Sequence, residues 1–215
     1  TLLLAALPLG VWYVLYCIKV VPPARLGRHV FGVLGGLALI FSAFFLNFGA
    51  AYGATPLEDK IGLEITAPST EDLIVALSYT EVQLNQGADE VDFAASGASK
   101  MPYSFAELTE KLNAAYDKLY PEYDFLTPLH APVKRIALSK PMTYTHLSGI
   151  YAVYTGEANV NINYPDFVIV YTTAHEMAHQ RGVAPEDEAN FIAFLVCAAS
   201  DDPYIRYCGY ANLYE

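Results

Sequence analysis

His175-Glu176-Met177-Ala178-His179-Gln180-Arg181-Gly182-Val183-Ala184-Pro185-Glu186-Asp187-Glu188-Ala189-Asn190 is the stretch from which the rest of the chain can be read. On a helix, His175 and His179 stand at i and i+4, so both imidazoles project from one face and can share a metal ion. Glu176 lies one position round, where it can reach a water on the metal without being a ligand, as a general base must. Gly182 suits a helix stop, because glycine takes the left-handed conformation at low cost. Pro185 suits the first turn of a new helix, and Glu186, Asp187 and Glu188 are favoured at its positive end. The chain should therefore turn back within a few residues and aim a carboxylate at the two histidines.

Glu186 is the expected third ligand. It shares a helix face with Asn190, at i and i+4, so Asn190 is placed to orient one of the histidines. Glu188 points elsewhere on that helix and is the fallback ligand; Asp187 is shorter and less suited. His175, His179 and one Glu would give zinc three protein ligands and leave a position for water, the pattern of a catalytic rather than a structural site. The competing reading is a solvated helix face, since HExxH arises by chance on many helices. The turn glycine and the acidic helix start directly after the motif weigh against it.

Thr145-His146-Leu147-Ser148-Gly149-Ile150-Tyr151, Thr155-Gly156-Glu157-Ala158-Asn159-Val160-Asn161 and the whole of His175 to Asn190 resemble the bacterial membrane family known as domain of unknown function 3810. The resemblance runs from the second apolar run to the C-terminal end. It implies a zincin-like metallopeptidase domain with no established substrate. The Glu186-x-x-Ala189-Asn190-x-x-Ala193 pattern is also similar to the ImmA/IrrE peptidases and, with Asn for Asp, to the membrane-bound CAAX-processing peptidases. In those families the leading Glu is the zinc ligand, which maps onto Glu186. They place many more residues between the second His and that Glu. The short His-x-x-Gly connection here is closer to the metzincin turn.

Upstream, residues 1–21 are apolar with Lys19 the only charge, and residues 30–52 form a second apolar run with no charge. Each is long enough for a ~30 Å hydrocarbon core, which takes about 20 helical residues. Both are read as transmembrane helices, although the first has the alternative of a signal peptide. Gly32, Gly35 and Gly36 suit close helix packing in the second. Lys19, Arg25 and Arg28 are the only charged residues before Glu58, and all lie in or beside the loop between the runs. By the positive-inside rule that loop is cytoplasmic, the chain sits in the cell (inner) membrane, and everything beyond about residue 53 is extracytoplasmic. The remainder carries all 23 acidic residues and nine basic ones, a formal charge of −14. That excludes nucleic-acid binding by bulk attraction and is enough to keep a domain soluble.

The expected organisation is 1–52, two transmembrane helices with a short basic loop; 53–68, a linker punctuated by Gly53, Pro56, Gly62 and Pro68; and 69–215, an α+β zincin-like catalytic domain with a small antiparallel sheet. Ser69 or Thr70 caps a helix to about Gln86, with Leu73, Leu77, Val82 and Leu84 as its apolar side. Ser104-Phe105-Ala106-Glu107 is a capping box opening a helix to Tyr120, striped by Phe105, Leu108, Leu112, Ala115 and Leu119. These two helices are expected to cover the catalytic core. Residues 87–102 read as a loop, and 133–140, 149–154 and 158–163 as strands. The last, with Asn159 on its wet face, is expected at the cleft edge, pairing with an extended substrate, and Glu157 sits at a hairpin tip as a turn residue or substrate contact. The metal helix should begin between Asp166 and Tyr171, with Asp166 as a cap, and end near Gly182. A buried core helix follows from Pro185 to about Ser200, then a polar, aromatic tail. Cys197 and Cys208 are open to a disulfide or to burial as free thiols.

The chemistry implied is hydrolysis of a peptide or protein substrate, with Zn2+ as cofactor and Glu176 as base. An oxyanion donor is also needed, for which Tyr144, His146, Tyr171, Arg206, Tyr207 and Tyr210 are candidates. The alternative is a zinc-stabilised extracytoplasmic binding or sensor domain that cuts nothing.

Overall fold

The computed structural model describes residues 2–20 and 22–214 of the chain. It divides into two compact units, Thr1–Leu46 and Asn47–Glu215. The first holds α1 (Leu2–Val20) and most of α2 (Pro23–Asn47). Residues 1 and 21, the ends of the first apolar run, lie outside the described residues. Among those described, one segment, Gly27–Asn47, is long and apolar enough to cross a membrane.

The second unit is mixed α and β, mostly helical, with a small sheet. After a 3-10 turn at Gly49–Gly53 comes α3 (Leu57–Ile61), inside the stretch expected as linker, and its Leu57 is buried. α4 (Thr70–Ala88) and α5 (Phe105–Leu119) both open on capping boxes. Ser69 pairs with Asp72 and Ser104 with Glu107, each hydroxyl accepting from the backbone N–H three residues on. Those bonds satisfy donors that the first helical turn leaves unpaired. The α5 stripe is buried at Leu108, Leu112, Ala115 and Leu119, and α5 packs on the two helices of the metal motif. α4 behaves differently from its expected role. It packs on the last helix, where Gly87 meets Tyr207, while Leu73, Leu77 and Val82 remain exposed. Its apolar side does not cover the core.

The sheet has the order β1-β3-β2. β2 (Gly149–Ala152) and β3 (Glu157–Val160) form an antiparallel hairpin with Ala152 opposite Glu157, closed by Gly156 at φ 68°. β1 pairs with β3 in parallel, Lys134 opposite Asn159, so the sheet is mixed rather than antiparallel. β1 is only Lys134–Arg135, not the whole of 133–140. Ser139 Oγ donates to the Ile136 carbonyl and Pro141 suits a first helical turn, so the chain bends into α6 (Ser139–Met142) instead of continuing the strand.

α7 (Asp166–Gln180) is the hub, packing on the sheet and on α5, α8 (Glu186–Ala199) and α9 (Pro203–Tyr214). It starts after Pro165 without a side-chain cap, since Asp166 instead accepts from the Met101 amide at 2.9 Å. α8 buries Ile192, Ala193, Val196 and Cys197, while Asn190 and Phe191 stay exposed. The expected tail is a helix, α9, with Tyr204, Ile205 and Cys208 buried. Asp202 accepts from the Ile205 amide at 3.1 Å and Pro203 fills the first helical position, a capping arrangement the aromatic composition had masked. Cys197 and Cys208 are buried free thiols, and no disulfide joins them.

Candidate metal centre and cavity

The turn after α7 builds the centre. Gly182 takes φ 93°, its amide bonds the His179 carbonyl and the Val183 amide bonds the Ala178 carbonyl, each at 3.2 Å. This is the Schellman closure that a left-handed glycine allows. It folds the Val183 carbonyl under α7, where it accepts from His179 Nδ1 at 2.7 Å. Two residues later Pro185 opens α8, and Glu186 faces the histidines.

His175 Nε2 lies 3.1 Å from His179 Nε2 and 3.0 Å from Glu186 Oε2, and His179 Nε2 lies 3.6 Å from the same oxygen. One ligand atom from each of the three residues falls within 4.8 Å of the others. The outer ring nitrogens fix what those atoms are. His179 Nδ1 faces a carbonyl and must donate; His175 Nδ1 faces Asn190 Oδ1 at 2.9 Å and donates likewise. In the neutral rings both Nε2 atoms therefore carry lone pairs, directed with a carboxylate oxygen at one point. Such a set has no proton of its own to share and is suited to a cation. Burial, then the neighbouring His179, lowers the pKa of His175 and holds its ring in the neutral form.

Glu188, the fallback ligand, is turned away and accepts from the Leu57 amide at 3.1 Å. Glu176 is buried beside the centre, and its Oε2 has no hydrogen-bond partner among the described residues. Burial, and then the charge of Glu186, pushes its pKa up to about 8. Gly149 is what makes room for it: a Cβ there would stand 2.3 Å from Glu176 Oε1.

A cavity of about 570 Å³ opens over the centre. His146 and Tyr171 line it, with Tyr171 donating to the Asn190 carbonyl at 2.8 Å. Burial raises the Tyr171 hydroxyl to about 12. The other expected contacts are elsewhere. Tyr144 is exposed outside the cavity, and Glu157 pairs with Lys134. Asn159 bonds backbone carbonyls within its own hairpin. Arg206 bonds the Ser200 carbonyl and Glu90, Tyr207 packs against Phe93 and Gly87, and Tyr210 packs edge-on against Tyr79 and Phe194. The strand at the cavity is β2, the sheet edge, through Gly149, Ile150 and Tyr151; β3 lies inside the sheet and contributes no lining.

Among the lining residues that escaped sequence reasoning are Gly149, Tyr151, Phe48 and Asn212. The rings of Tyr151 and Phe48 lie 6.0 and 5.7 Å from that of His179. Only Tyr151 carried a signal, as an aromatic in the quoted Thr145–Tyr151 stretch.

No curated protein and no solved structure matches this chain. A family model matches it over residues 1–215, and the chain thereby belongs to the family described as protein of unknown function, DUF3810.

Proposed function

We propose that this chain is a membrane-anchored zinc metallopeptidase whose catalytic unit faces the extracytoplasmic side. The observation that carries the reading is the convergence of three lone-pair donors, from His175, His179 and Glu186, beside a buried, unpartnered carboxyl group. Zinc bonds to N and O at about 2.0–2.2 Å, so tetrahedral ligands stand roughly 3.3–3.5 Å apart. The separations of 3.0, 3.1 and 3.6 Å bracket that spacing. A purely structural site has no use for an acid group held at the cost of burial, and would fill the fourth position with another ligand.

A bound zinc ion supplies Lewis acidity, lowering the pKa of water to about 7 and polarising a carbonyl. The chain's own residues do the rest. Glu176, buried beside the centre and without being one of the three ligands, is placed to accept the water's proton and return it to the leaving nitrogen, the adjacent cation favouring its ionised form. The net change is addition of water across the amide, giving a carboxylic acid and an amine. Of the expected oxyanion donors, His146 and Tyr171 line the cavity; the Tyr171 hydroxyl donates to the Asn190 carbonyl and would have to leave it to serve a developing oxyanion. The open edge of β2 offers backbone groups to an extended substrate. Anchorage rests on Gly27–Asn47, with mean hydropathy 2.1, and sidedness on Lys19 and Arg25 before it and Arg28 at its start.

The test is zinc content and cleavage of a mixed peptide pool by the full chain in detergent, beside Glu176→Gln. Zinc in both and cleavage only by the parent is the expected result. Zinc in both without cleavage would make this a binding or sensor domain, and no zinc in either would sink the metal centre itself.

A further inference from the structure

Phe48 ties the cavity to the point where the chain leaves its apolar helix. α2 ends at Asn47, and Phe48 is the next residue. Its ring lies 5.7 Å from that of His179 and 5.6 Å from that of Tyr151, and it forms part of the cavity wall. Tyr52 packs edge-on against it at 5.6 Å. Phe48, Tyr52 and the metal centre belong to one compact unit, so these spacings hold whatever orientation the N-terminal helices take.

Gly27–Asn47 contains 21 residues. At 1.5 Å rise that is about 31 Å, the thickness of a hydrocarbon core. With this segment as the span, the hydrocarbon edge falls near Leu46, and Phe48 stands within roughly one helical turn, ~5 Å, of it. An aromatic pair just past a span is the composition of a membrane interface. One ring-to-ring step further is His179. Chain connectivity alone thus keeps the centre within roughly 10 Å of the hydrocarbon edge, within reach of the headgroup layer. Charge gives no such attraction, since the chain beyond residue 57 carries −14.

We infer that the cavity takes a peptide segment of a protein that is itself held in the membrane, and cuts it close to its anchor. This deepens the hydrolase reading and rests on it. An extended chain covers about 3.3–3.6 Å per residue, so a bond lodged here lies roughly three or four residues from the end of its anchor. The rim agrees with an apolar flank: Leu147 and Ile150 line the cavity, yet both are exposed.

The experiment uses the full, zinc-loaded chain in phosphatidylcholine vesicles. Three mixed-sequence peptide libraries are compared: one placed about four residues from a transmembrane anchor, one about 20 flexible residues away, and one without an anchor. Tethering concentrates both anchored libraries, and lengthening the tether from about 4 to about 20 residues dilutes the bond by only about tenfold. The inference requires the near library to be cut at least about 100-fold faster than the far one, beyond what that dilution supplies. A smaller ratio, equal rates or a faster far library overturns it. A second readout does not depend on hydrolysis. A fluorophore at Ile150→Cys, in a Cys17→Ser background with the other two thiols buried, should be quenched by a headgroup-borne quencher far more than one at Asp117→Cys on α5. Quenching no greater at 150 than at 117 also overturns the inference. Strong quenching at 150 with no library cut locates the centre at the membrane but removes the hydrolase reading, and the substrate assignment falls with it.

Discussion

Gly149→Ala separates metal binding from base catalysis in one methyl group. The added Cβ would stand 2.3 Å from Glu176 Oε1, 2.7 Å from its Cγ and 2.8 Å from its Cδ. Ordinary contact begins at 3.4 Å, so the carboxyl end must give way by about 1 Å. Glu176 is buried and fixed on α7, so the shift moves the proposed base relative to the water it would serve. A displacement of that size costs about 100-fold in rate, against the roughly 100- to 10,000-fold that a general base supplies. Overpacking adds about 1–3 kcal/mol of destabilisation, which this unit should survive folded. The three atoms nearest the new Cβ all belong to Glu176 and none to a candidate ligand, so zinc content should stay at the parental level. The assay is kcat/KM on the cleaved peptide beside zinc by mass spectrometry, in parent, Gly149→Ala, Glu176→Gln and the double variant. The double variant should lose no more activity than Glu176→Gln alone, because the methyl acts through the carboxylate. A Gly149→Ala protein with parental kcat/KM, or one that loses zinc in step with activity, refutes the placement of Glu176.

Glu186→Gln should weaken zinc binding beyond the roughly 10–100-fold that loss of an outer hydrogen-bond partner costs, while Glu188→Gln, still able to accept from Leu57, should leave it unchanged; competition with a zinc chelator reads both. Asn190→Ala should weaken zinc by about 10–100-fold, because it frees the His175 ring to take the other tautomer. Arg181→Met should lower stability by about 4 kcal/mol or more in urea unfolding, since it strips partners from a buried network. In chelator, the carboxyl of Glu176 holds its proton more tightly folded, at about 8, than at its ordinary 4.5. The Glu176 contribution to stability of the metal-free protein is therefore full below pH 4.5, falls by a few kcal/mol as pH rises to about 8, and is absent in Glu176→Gln; a stability difference between parent and Glu176→Gln that does not change over this range contradicts the burial argument.

What was legible in the sequence was local. The capping boxes at Ser69 and Ser104, the stop at Gly182 and the restart at Pro185 each depend on residues within four positions, and each set its element where expected. β1 failed because two local preferences competed: Val133 to Leu138 favours a strand, but Ser139 and Pro141 cut it short. α9 failed for a different reason. Asp202-Pro203 was a start signal in plain view, but tyrosines at 204, 207, 210 and 214 suggested a polar tail rather than a helix with one face buried.

The walls of the site were not legible, because each is set by a partner far along the chain. Nothing around Gly149 says that a carboxylate 27 residues later needs its missing Cβ. Phe48, at the end of an apolar run, reads as lipid-facing until His179 is seen beside it. Arg181 is the sharpest case. A lone Arg after a metal motif reads as surface, yet it is fully buried, with its guanidinium 3.9 Å from the Tyr116 ring and bonds to Tyr120, Asn113, Leu129 and the Met177 carbonyl. Tyr116 in turn donates to the Ala174 carbonyl at 2.8 Å. Two carbonyls of α7 are thus gripped from behind, at 174 and 177, on either side of His175 and Glu176. A short helix carrying two proposed ligands and the proposed base tolerates little rotation, since a 100° step per residue would swing His179 off the shared point. Clamping its rear face through α5 fixes that rotation without placing any group in the cavity. On the helix so clamped, the three candidate ligand atoms stand within 4.8 Å of one another.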